Sequence, residues 1–259
     1  MLLVIDVGNT NIVAGVFKGK KLLVNWRFST DRSKTADEFG ILLQNMFQYA
    51  DDMNMCDVNA IIISSVVPPV LVPLCHMCER YFKMQPMVVG QGLKIGLKLR
   101  YENPKEIGAD RIVNAVAAFA KYAEQKKPMI VMDFGTATTF CAILPEGDYL
   151  GGAIAPGIGI SAEALTQRTA KLPRIELLVP KKAICANTVS AMRAGIMYGY
   201  LGLIEGVVKH MKEELGGEAY VIATGGFANT MASGTDCIDV VDPLLTLDGL
   251  RIIYEKNQK

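Results

Sequence analysis

The feature that most constrains this chain is a strand–turn–strand motif that occurs twice. Residues 3–17 read LVIDVGNTNIVAGVF, and residues 130–144 read IVMDFGTATTFCAIL. In each copy an apolar run reaches an aspartate, Asp6 or Asp133, and a glycine with small polar residues separates it from a second apolar run. The numbers of the two aspartates differ by 127, close to half of the 259 residues. This spacing predicts a duplicated α/β unit with a cleft between the two copies.

Hydrophobic periodicity extends the duplication to two domains, residues 1–126 and 127–259. The strands predicted for the first domain are 2–7, 12–17, 21–29, 60–64 and 87–89. Those predicted for the second domain are 129–133, 138–144, 149–155, 220–223 and 238–241.

Three helices have clear sequence signals. Thr35 and Glu38 form a capping-box pair in front of an apolar helical face. A second helix is predicted over 109–123. A third is predicted over 189–215, capped by Thr188 and ended by Gly216 and Gly217. Its apolar stripe is broad for one small domain, which favours packing against a second subunit in a homodimer.

Composition limits the classes of partner. The 27 basic and 26 acidic residues leave a net charge of +1, so no broad field would attract nucleic acid or an anionic membrane. No apolar run reaches the roughly 20 residues that a membrane-spanning helix needs. The N-terminal segment MLLVIDVGNT lacks the basic start and cleavage site of a signal peptide. We therefore expect a cytoplasmic protein that binds small ligands.

The two turns have the composition of phosphate-binding loops. Glycine and small residues after a strand leave backbone N–H groups that match phosphate oxygens. The carboxylate of Asp6 or Asp133 at the strand end can hold a cation where those phosphates gather. Either turn alone would also fit an ordinary tight hairpin, but two matched copies favour the nucleotide site. The chain contains neither GxxxxGK[ST] nor GxGxxG, so a P-loop and a Rossmann site are not supported.

Three further motifs lie outside the repeat. In GADR, residues 108–111, an acid and a cation begin a predicted helix, where they could act as a base and an anion anchor. ATGG, residues 223–226, lets a nucleobase or ribose approach the backbone closely. GGAIAPG, residues 151–157, is a glycine-rich strand exit that the predicted topology brings to the same cleft.

Taken in order, DVGNT, GADR, DFGTATT, GGAIAPG and ATGG closely resemble the motifs of type III pantothenate kinase, and the match covers nearly the whole chain. The resemblance implies an α/β fold of two duplicated RNase H-like domains, as in the actin, acetate kinase and sugar kinase superfamily. It implies transfer of the ATP γ-phosphate to pantothenate, giving 4′-phosphopantothenate in the first step of coenzyme A synthesis. It also implies a cytoplasmic homodimer.

The resemblance implies catalytic and ligand-binding roles for individual residues. Asp110 is implied as the general base, and the pantothenate site as Asp110 with Tyr101, Gly108, Ala109, Arg111 and Thr188. The implied ATP-binding residues are Asp6, Val7, Gly8, Asn9, Thr10, Asn11, Ile12, Val13 and Thr136. Magnesium accompanies ATP near Asp6 through its water shell, and Asp133 is implied to bind a monovalent cation, K⁺ or NH₄⁺. One departure precedes Thr188, where the family commonly has a glycine and a basic residue and this chain has Cys185, Ala186 and Asn187.

Without the resemblance, the residues are also compatible with two other functions. A related kinase acting on a sugar or on acetate would use the same phosphate-binding turns. A nucleotide-regulated binding protein of actin-like or chaperone-like type would share the fold without the reaction. The intact Asp110 favours an enzyme, and the chain lacks the extra segments that a filament or a peptide-binding domain would need.

Overall fold

A computed structural model describes residues 1–50, 53–90 and 92–258. The chain forms two compact units, and each contains one mixed sheet. The first unit consists of Met1–Gly96, Asn103–Ala117 and Leu245–Lys259, and the second consists of Leu97–Glu102 and Ala118–Leu244. Compactness alone does not define a domain, so the boundary between residues 126 and 127 stays a prediction.

The first sheet has five strands in the order β3-β2-β1-β4-β5. Strand β1 pairs antiparallel with β2 and parallel with β4, so it is hydrogen-bonded on both sides. The bounds are Leu2–Val7 for β1, Asn11–Lys18 for β2, Lys21–Ser29 for β3, Ala60–Ser65 for β4 and Met87–Val88 for β5.

The second sheet repeats this arrangement. Its order is β11-β10-β7-β8-β9-β6, with β7 antiparallel to β8 and parallel to β10. The bounds are Lys98–Leu99 for β6, Met129–Phe134 for β7, Ala137–Ile143 for β8, Asp148–Pro156 for β9, Tyr220–Gly225 for β10 and Val240–Val241 for β11. Apart from the added β6, both sheets have the same strand order and directions, which confirms the predicted duplication.

Seven α-helices occur in the described part of the chain. They are α1 Ala36–Gln48, α2 Pro68–Met77, α3 Ala109–Tyr122, α4 Ile158–Gln167, α5 Thr188–Glu214, α6 Ala228–Ala232 and α7 Leu245–Asn257. None of the described helices is both long enough and apolar enough to cross a bilayer.

The helix boundaries follow local chemistry. Thr35 and Glu38 make both hydrogen bonds of the predicted capping box. The prediction that Thr188 caps α5 is wrong, because Asn187 is the N-cap and its Oδ1 accepts from the Ser190 N–H at 2.9 Å. An amide oxygen at that position satisfies an otherwise unpaired helix N–H. Gly216 and Gly217 have φ values of 96° and 108° and end the helix as predicted.

Each unit has its own core. In the first, α1 and α2 pack against the face of the sheet formed by Leu3, Ile5 and Val7. In the second, α5 packs against β7 and β10 through a buried row that includes Met197, Leu201 and Ile204. The ends of β1 and β7 are thereby held firmly, and both aspartates of the repeat lie at those ends.

Candidate active site

The first candidate phosphate turn joins β1 to β2. The Gly8 N–H donates to the Asn11 carbonyl at 3.0 Å, and a Cβ at Gly8 would lie 3.1 Å from that oxygen. Thr30, directly after β3, makes two hydrogen bonds to the turn. Its hydroxyl donates to the Gly8 carbonyl at 2.6 Å, and its N–H donates to the Thr10 carbonyl at 2.9 Å. Arg32 adds a cation that sequence reasoning missed, with its guanidinium 3.4 Å from the Asn9 Oδ1.

Asp6 lies at the carboxyl end of β1. It is half-buried and in register with Val13 on β2 and Ser64 on β4. In-register residues on adjacent strands share a face of the sheet, so the Asp6 carboxylate and the buried Ser64 hydroxyl lie on the same face. Nothing in the sequence motif marked Ser64, since only strand pairing brings it beside Asp6.

The second turn is one residue shorter than the first. Phe134 pairs with Thr138 across it, whereas Val7 pairs with Ile12, and the Gly135 N–H donates to the Ala137 carbonyl at 3.2 Å. Asp133 therefore lies opposite Thr139 on β8. The two motifs have the same length in sequence, so the difference is not visible there. Relative to its aspartate, β8 begins one residue earlier than β2 does.

Two glycines pack against the second turn so closely that a side chain would not fit. The Gly157 N–H donates to the Thr136 carbonyl at 3.0 Å, and a Cβ at Gly157 would lie 2.3 Å from that oxygen. Gly225 has a φ of 94°, and its Cβ would lie 2.5 Å from Asp133 Oδ1. GGAIAPG and ATGG thus each place a glycine against this turn, and at Gly225 a Cβ would also lie 2.7 Å from backbone atoms of Phe134.

Tyr200 fixes the second turn from α5. Its buried hydroxyl lies 2.5 Å from the Thr138 Oγ1 and 3.0 Å from the Pro156 carbonyl, which accepts a hydrogen bond from it. Burial raises the pKa of this phenol, so it stays protonated and able to donate. In the sequence Tyr200 belonged to an apolar helical stripe, and that pattern gave no sign of its contact with the turn.

Asp110 lies in the first turn of α3. The backbone N–H of Arg111 donates to its Oδ1 at 2.8 Å, and the Gly108 carbonyl accepts from the N–H groups of Arg111 and Ile112 at 3.1 and 3.2 Å. A Cβ at Gly108 would lie 2.5 Å from Asp110 Oδ1. The glycine of GADR therefore leaves the space in which the carboxylate folds back over the helix start.

Burial raises the pKa of the Asp110 carboxyl above its ordinary value. The hydrogen bond from the Arg111 N–H and the charge of the Arg111 guanidinium oppose this rise in part. Arg111 itself is only 6% exposed. The carboxyl consequently holds its proton more tightly than a solvated aspartate does, which is a property of many general bases.

In the first unit, Asp6 and Asp110 are associated with the same edge of the sheet. A Cβ at Gly108 would lie 3.6 Å from Val66 Cγ1, and the Val66 N–H donates to the Val7 carbonyl at 3.1 Å. Val66 follows β4, and Val7 follows Asp6 in β1. The turn that carries Asp110 is thus packed on the residues that end the two central strands.

The remaining predicted site residues belong to the second unit. The Tyr101 ring lies against Gly151, where a Cβ would be 3.2 Å away, and its centroid is 6.4 Å from that of Tyr149. Thr188 is the exposed first residue of α5. Asp133 and Thr136 lie at the second turn. The assignment of ligands to these residues stays a prediction.

Comparison with known proteins decides the family. The model of the family described as type III pantothenate kinase matches residues 2–210. A type III pantothenate kinase of Bacillus cytotoxicus is 55% identical over 257 residues, covering 99% of this chain and 97% of its own length.

The chain belongs to the type III pantothenate kinase family. Kinases of this family phosphorylate pantothenate, an alcohol acceptor, in the synthesis of coenzyme A. The predicted family and reaction class are therefore confirmed, in preference to the sugar kinase, acetate kinase and binding-protein alternatives.

Solved structures with low sequence identity support the fold. MreB 5 of Spiroplasma citri, crystallised with AMPPNP, has a TM-score of 0.58 at 11% identity and covers 98% of this kinase and 96% of its own chain. The inorganic polyphosphate/ATP-glucomannokinase of an Arthrobacter strain has a TM-score of 0.51 at 14% identity, with 99% of each chain covered. The kinase accordingly has an α/β fold of two duplicated RNase H-like domains, as these structures have.

Replacing Asp110 with Asn is expected to increase the free energy of unfolding at pH 7 by about 1 kcal/mol. A carboxyl whose pKa is raised by folding binds its proton more tightly in the folded state. Its contribution to stability is therefore lost as the pH rises from the unfolded pKa through the folded one. The neutral amide does not carry this cost.

Urea unfolding of both proteins at several pH values measures this effect, and the difference should shrink toward pH 4. The exposed Asp236 provides a matched control, since Asp236→Asn should leave the stability unchanged. An Asp110→Asn protein less stable than the wild type at pH 7 would contradict the burial argument.

Proposed function

We propose that this kinase transfers the γ-phosphate of ATP directly to the terminal hydroxyl of pantothenate, with Asp110 as the general base. The observation that carries this proposal is the setting of Asp110. Its carboxylate lies in the first turn of α3, over the space beside Gly108 that a side chain there would take, and burial raises its pKa. A base with a raised pKa accepts a proton more readily than an ordinary aspartate does.

The proton transfer and the phosphoryl transfer are coupled. As the hydroxyl oxygen attacks phosphorus in line, its proton passes to an Asp110 carboxylate oxygen, and the bond between phosphorus and the leaving ADP oxygen breaks. Because the transition state is loose, correct positioning of the two reactants contributes more to the rate than proton removal does. This favours a base held by its surroundings, as Asp110 is by the N–H of Arg111.

For pantothenate, we assign the residues next to the base. The Arg111 guanidinium provides a charge for the substrate carboxylate, and the backbone of Gly108 and Ala109 provides hydrogen-bonding groups beside the hydroxyl. Tyr101 and Thr188 complete the proposed site. The Tyr101 ring is amphipathic and could cover the apolar part of the substrate while its hydroxyl makes a polar contact.

For ATP, we assign the first turn with its flanking strand residues and Thr136 of the second turn. Backbone N–H groups of glycine-containing turns match phosphate oxygens. Arg32, close to Asn9, adds positive charge near the first turn. The nucleotide-binding residues in this proposal are Asp6, Val7, Gly8, Asn9, Thr10, Asn11, Ile12, Val13 and Thr136.

Two aspartates are suitable cation ligands in this proposal, and we assign a different ion to each. Asp6 would hold Mg²⁺ through its water shell beside the first turn. Asp133, at the carboxyl end of β7 beside the second turn, would hold K⁺ or NH₄⁺. Bound cations would neutralise charge on the phosphates, a contribution that kinases with few lysines near the nucleotide need from elsewhere.

We also propose that the kinase is a cytoplasmic homodimer that uses α5. Gly195, Gly199, Gly202 and Gly206 recur at helical spacing, and among the described residues no atom outside the local helix lies within 4 Å of where a Cβ on any of them would be. Each glycine inside a helix costs about 0.5–1 kcal/mol relative to alanine. A second helix packed closely on this stripe would offset that cost.

Asp110→Asn is expected to lower kcat by about 10² to 10⁴-fold, with the KM values nearly unchanged, because the amide keeps the shape but removes the base. The assay contains ATP, magnesium, potassium and pantothenate, and 4′-phosphopantothenate is detected by mass. Asp236→Asn is the matched control. A near-normal kcat for Asp110→Asn would give Asp110 a different role, and absence of product with the wild type would contradict the reaction.

Replacing potassium with sodium is expected to reduce turnover by about tenfold if Asp133 holds a selective cation. In an Asp133→Asn variant the rate should be low in both salts, because the ligand that distinguishes the ions is gone. The measurement is initial rate at matched ionic strength. If Asp133→Asn retained the wild-type preference for potassium, the cation site would lie elsewhere.

The dimer proposal predicts a solution mass of twice 28.2 kDa at micromolar concentration. Gly199→Leu should give the monomer mass, because the side chain would prevent close approach of a second helix. Glu214→Leu, on an exposed part of the same helix away from the stripe, is the control and should stay dimeric. Sedimentation equilibrium distinguishes these outcomes, and a wild-type monomer would remove the proposal.

A further inference from the structure

The C-terminal helix α7 packs on the first sheet, although it follows the whole second sheet in sequence. It contacts β1, β2 and β4. The Arg251 guanidinium lies 5.6 Å from the centroid of the Phe17 ring. At the far end, the Asn257 side chain accepts from the Lys94 N–H at 2.8 Å and donates to the Lys94 carbonyl at 2.9 Å. The family model matches residues 2–210, so α7 lies outside the matched range.

The first turn of α7 also contacts α3, the helix that begins with Asp110. The Thr246 hydroxyl donates to the Asn114 Oδ1 at 2.7 Å, and Asn114 is only 2% exposed. One turn further along α7, a Cβ at Gly249 would lie 2.2 Å from the Val113 carbonyl oxygen. The two helices therefore touch side chain to side chain at Thr246 and backbone to backbone at Gly249, and Gly249 is required for that approach.

Both contacts are made to the turn of α3 that follows Asp110. Val113 and Asn114 are three and four residues after Asp110, so they lie on the same side of the helix about 4.5 and 6 Å further along its axis. On the other side of Asp110, Gly108 lies beside Val66 at the end of β4, since a Cβ at Gly108 would be 3.6 Å from Val66 Cγ1. The helix start is thus fixed between the end of β4 and α7.

We propose that Thr246 and Gly249 act through Asn114 and Val113 to hold α3 in the position that directs Asp110 at the substrate hydroxyl. The inference rests on the proposed function, in which Asp110 is the general base. Thr246 touches no reacting atom and is therefore a positioning residue. Its hydroxyl fixes the direction of the Asn114 side chain, and Gly249 fixes how closely the two helices approach.

Catalysis is sensitive to such positioning. A base must come within hydrogen-bonding distance of the proton it accepts, and a misplacement of about 1 Å can reduce a rate by about 10²-fold. Removing the Thr246 hydroxyl leaves a buried amide oxygen without this donor, and the helix can shift to find another. The expected defect lies in kcat, since ground-state binding does not require the base to be aligned.

The first experiment compares Thr246→Val with Thr246→Ser in the full-length kinase. The valine variant removes the hydroxyl at nearly constant volume and is expected to lower kcat by about 10 to 100-fold, with both KM values changed less than about threefold. The serine variant keeps the donor and should restore most of the rate. A Thr246→Val enzyme with wild-type kcat would overturn the proposal, as would a serine variant that is equally slow.

Asn257→Ala provides the matched control for stability. It removes hydrogen bonds at the opposite end of α7, so it should lower the melting temperature while leaving kcat unchanged below that temperature. If Thr246→Val is too unstable to assay, Thr246→Ala removes the same donor without a second methyl group, and the same kcat loss is expected. Equal kcat losses in the Asn257 and Thr246 variants would mean that α7 acts only through stability.

A double-mutant cycle separates this inference from the proposed function. If Thr246 acts through Asp110, adding Thr246→Val to Asp110→Asn should slow the residual reaction by less than about twofold. A full additional loss in that background would contradict positioning of Asp110. If Asp110→Asn alone retains a near-normal kcat, the proposed base role itself fails, whatever Thr246→Val does.

Discussion

In each sheet, the innermost strand is hydrogen-bonded on both sides, antiparallel to the strand after it and parallel to a later one. β1 has this place in the first sheet and β7 in the second. The antiparallel partner brings a short turn directly after an aspartate, and the parallel partner brings a second chain end to the same edge. Strand pairing therefore determines which loops can meet at Asp6 and Asp133, and the rest of each unit packs around that arrangement.

Glycines make the turns possible by their lack of a side chain. Gly157 and Gly225 lie where a Cβ would collide with the Thr136 carbonyl or the Asp133 carboxylate, and Gly108 leaves room for the Asp110 carboxylate. These glycines belong to separate sequence motifs, and each allows another part of the chain to lie close to its backbone. Gly249 of α7 likewise lacks a side chain where α7 packs closely on the backbone of α3.

Much of the local structure could be predicted from sequence, because its causes are local. The apolar run 2–7 is observed as β1 with the predicted bounds, and the Thr35–Glu38 box caps α1 as expected. The shorter second turn could not be predicted, because strand register depends on cross-strand pairing. Tyr200 and Thr246 were missed for a similar reason: each contacts a residue at least 62 positions away. A helical stripe or a short terminal segment gives no signal of such contacts.

The proposed reaction depends most on Asp110, whose burial and raised pKa suit a base that accepts a proton from an alcohol. A crystal structure of this kinase with pantothenate and a non-hydrolysable ATP analogue measures the decisive distance. If Asp110 is the base, one of its carboxylate oxygens lies about 2.6–3.2 Å from the terminal hydroxyl of pantothenate. A hydroxyl more than about 5 Å from Asp110, with another acceptor or a metal-bound water in its place, would contradict it.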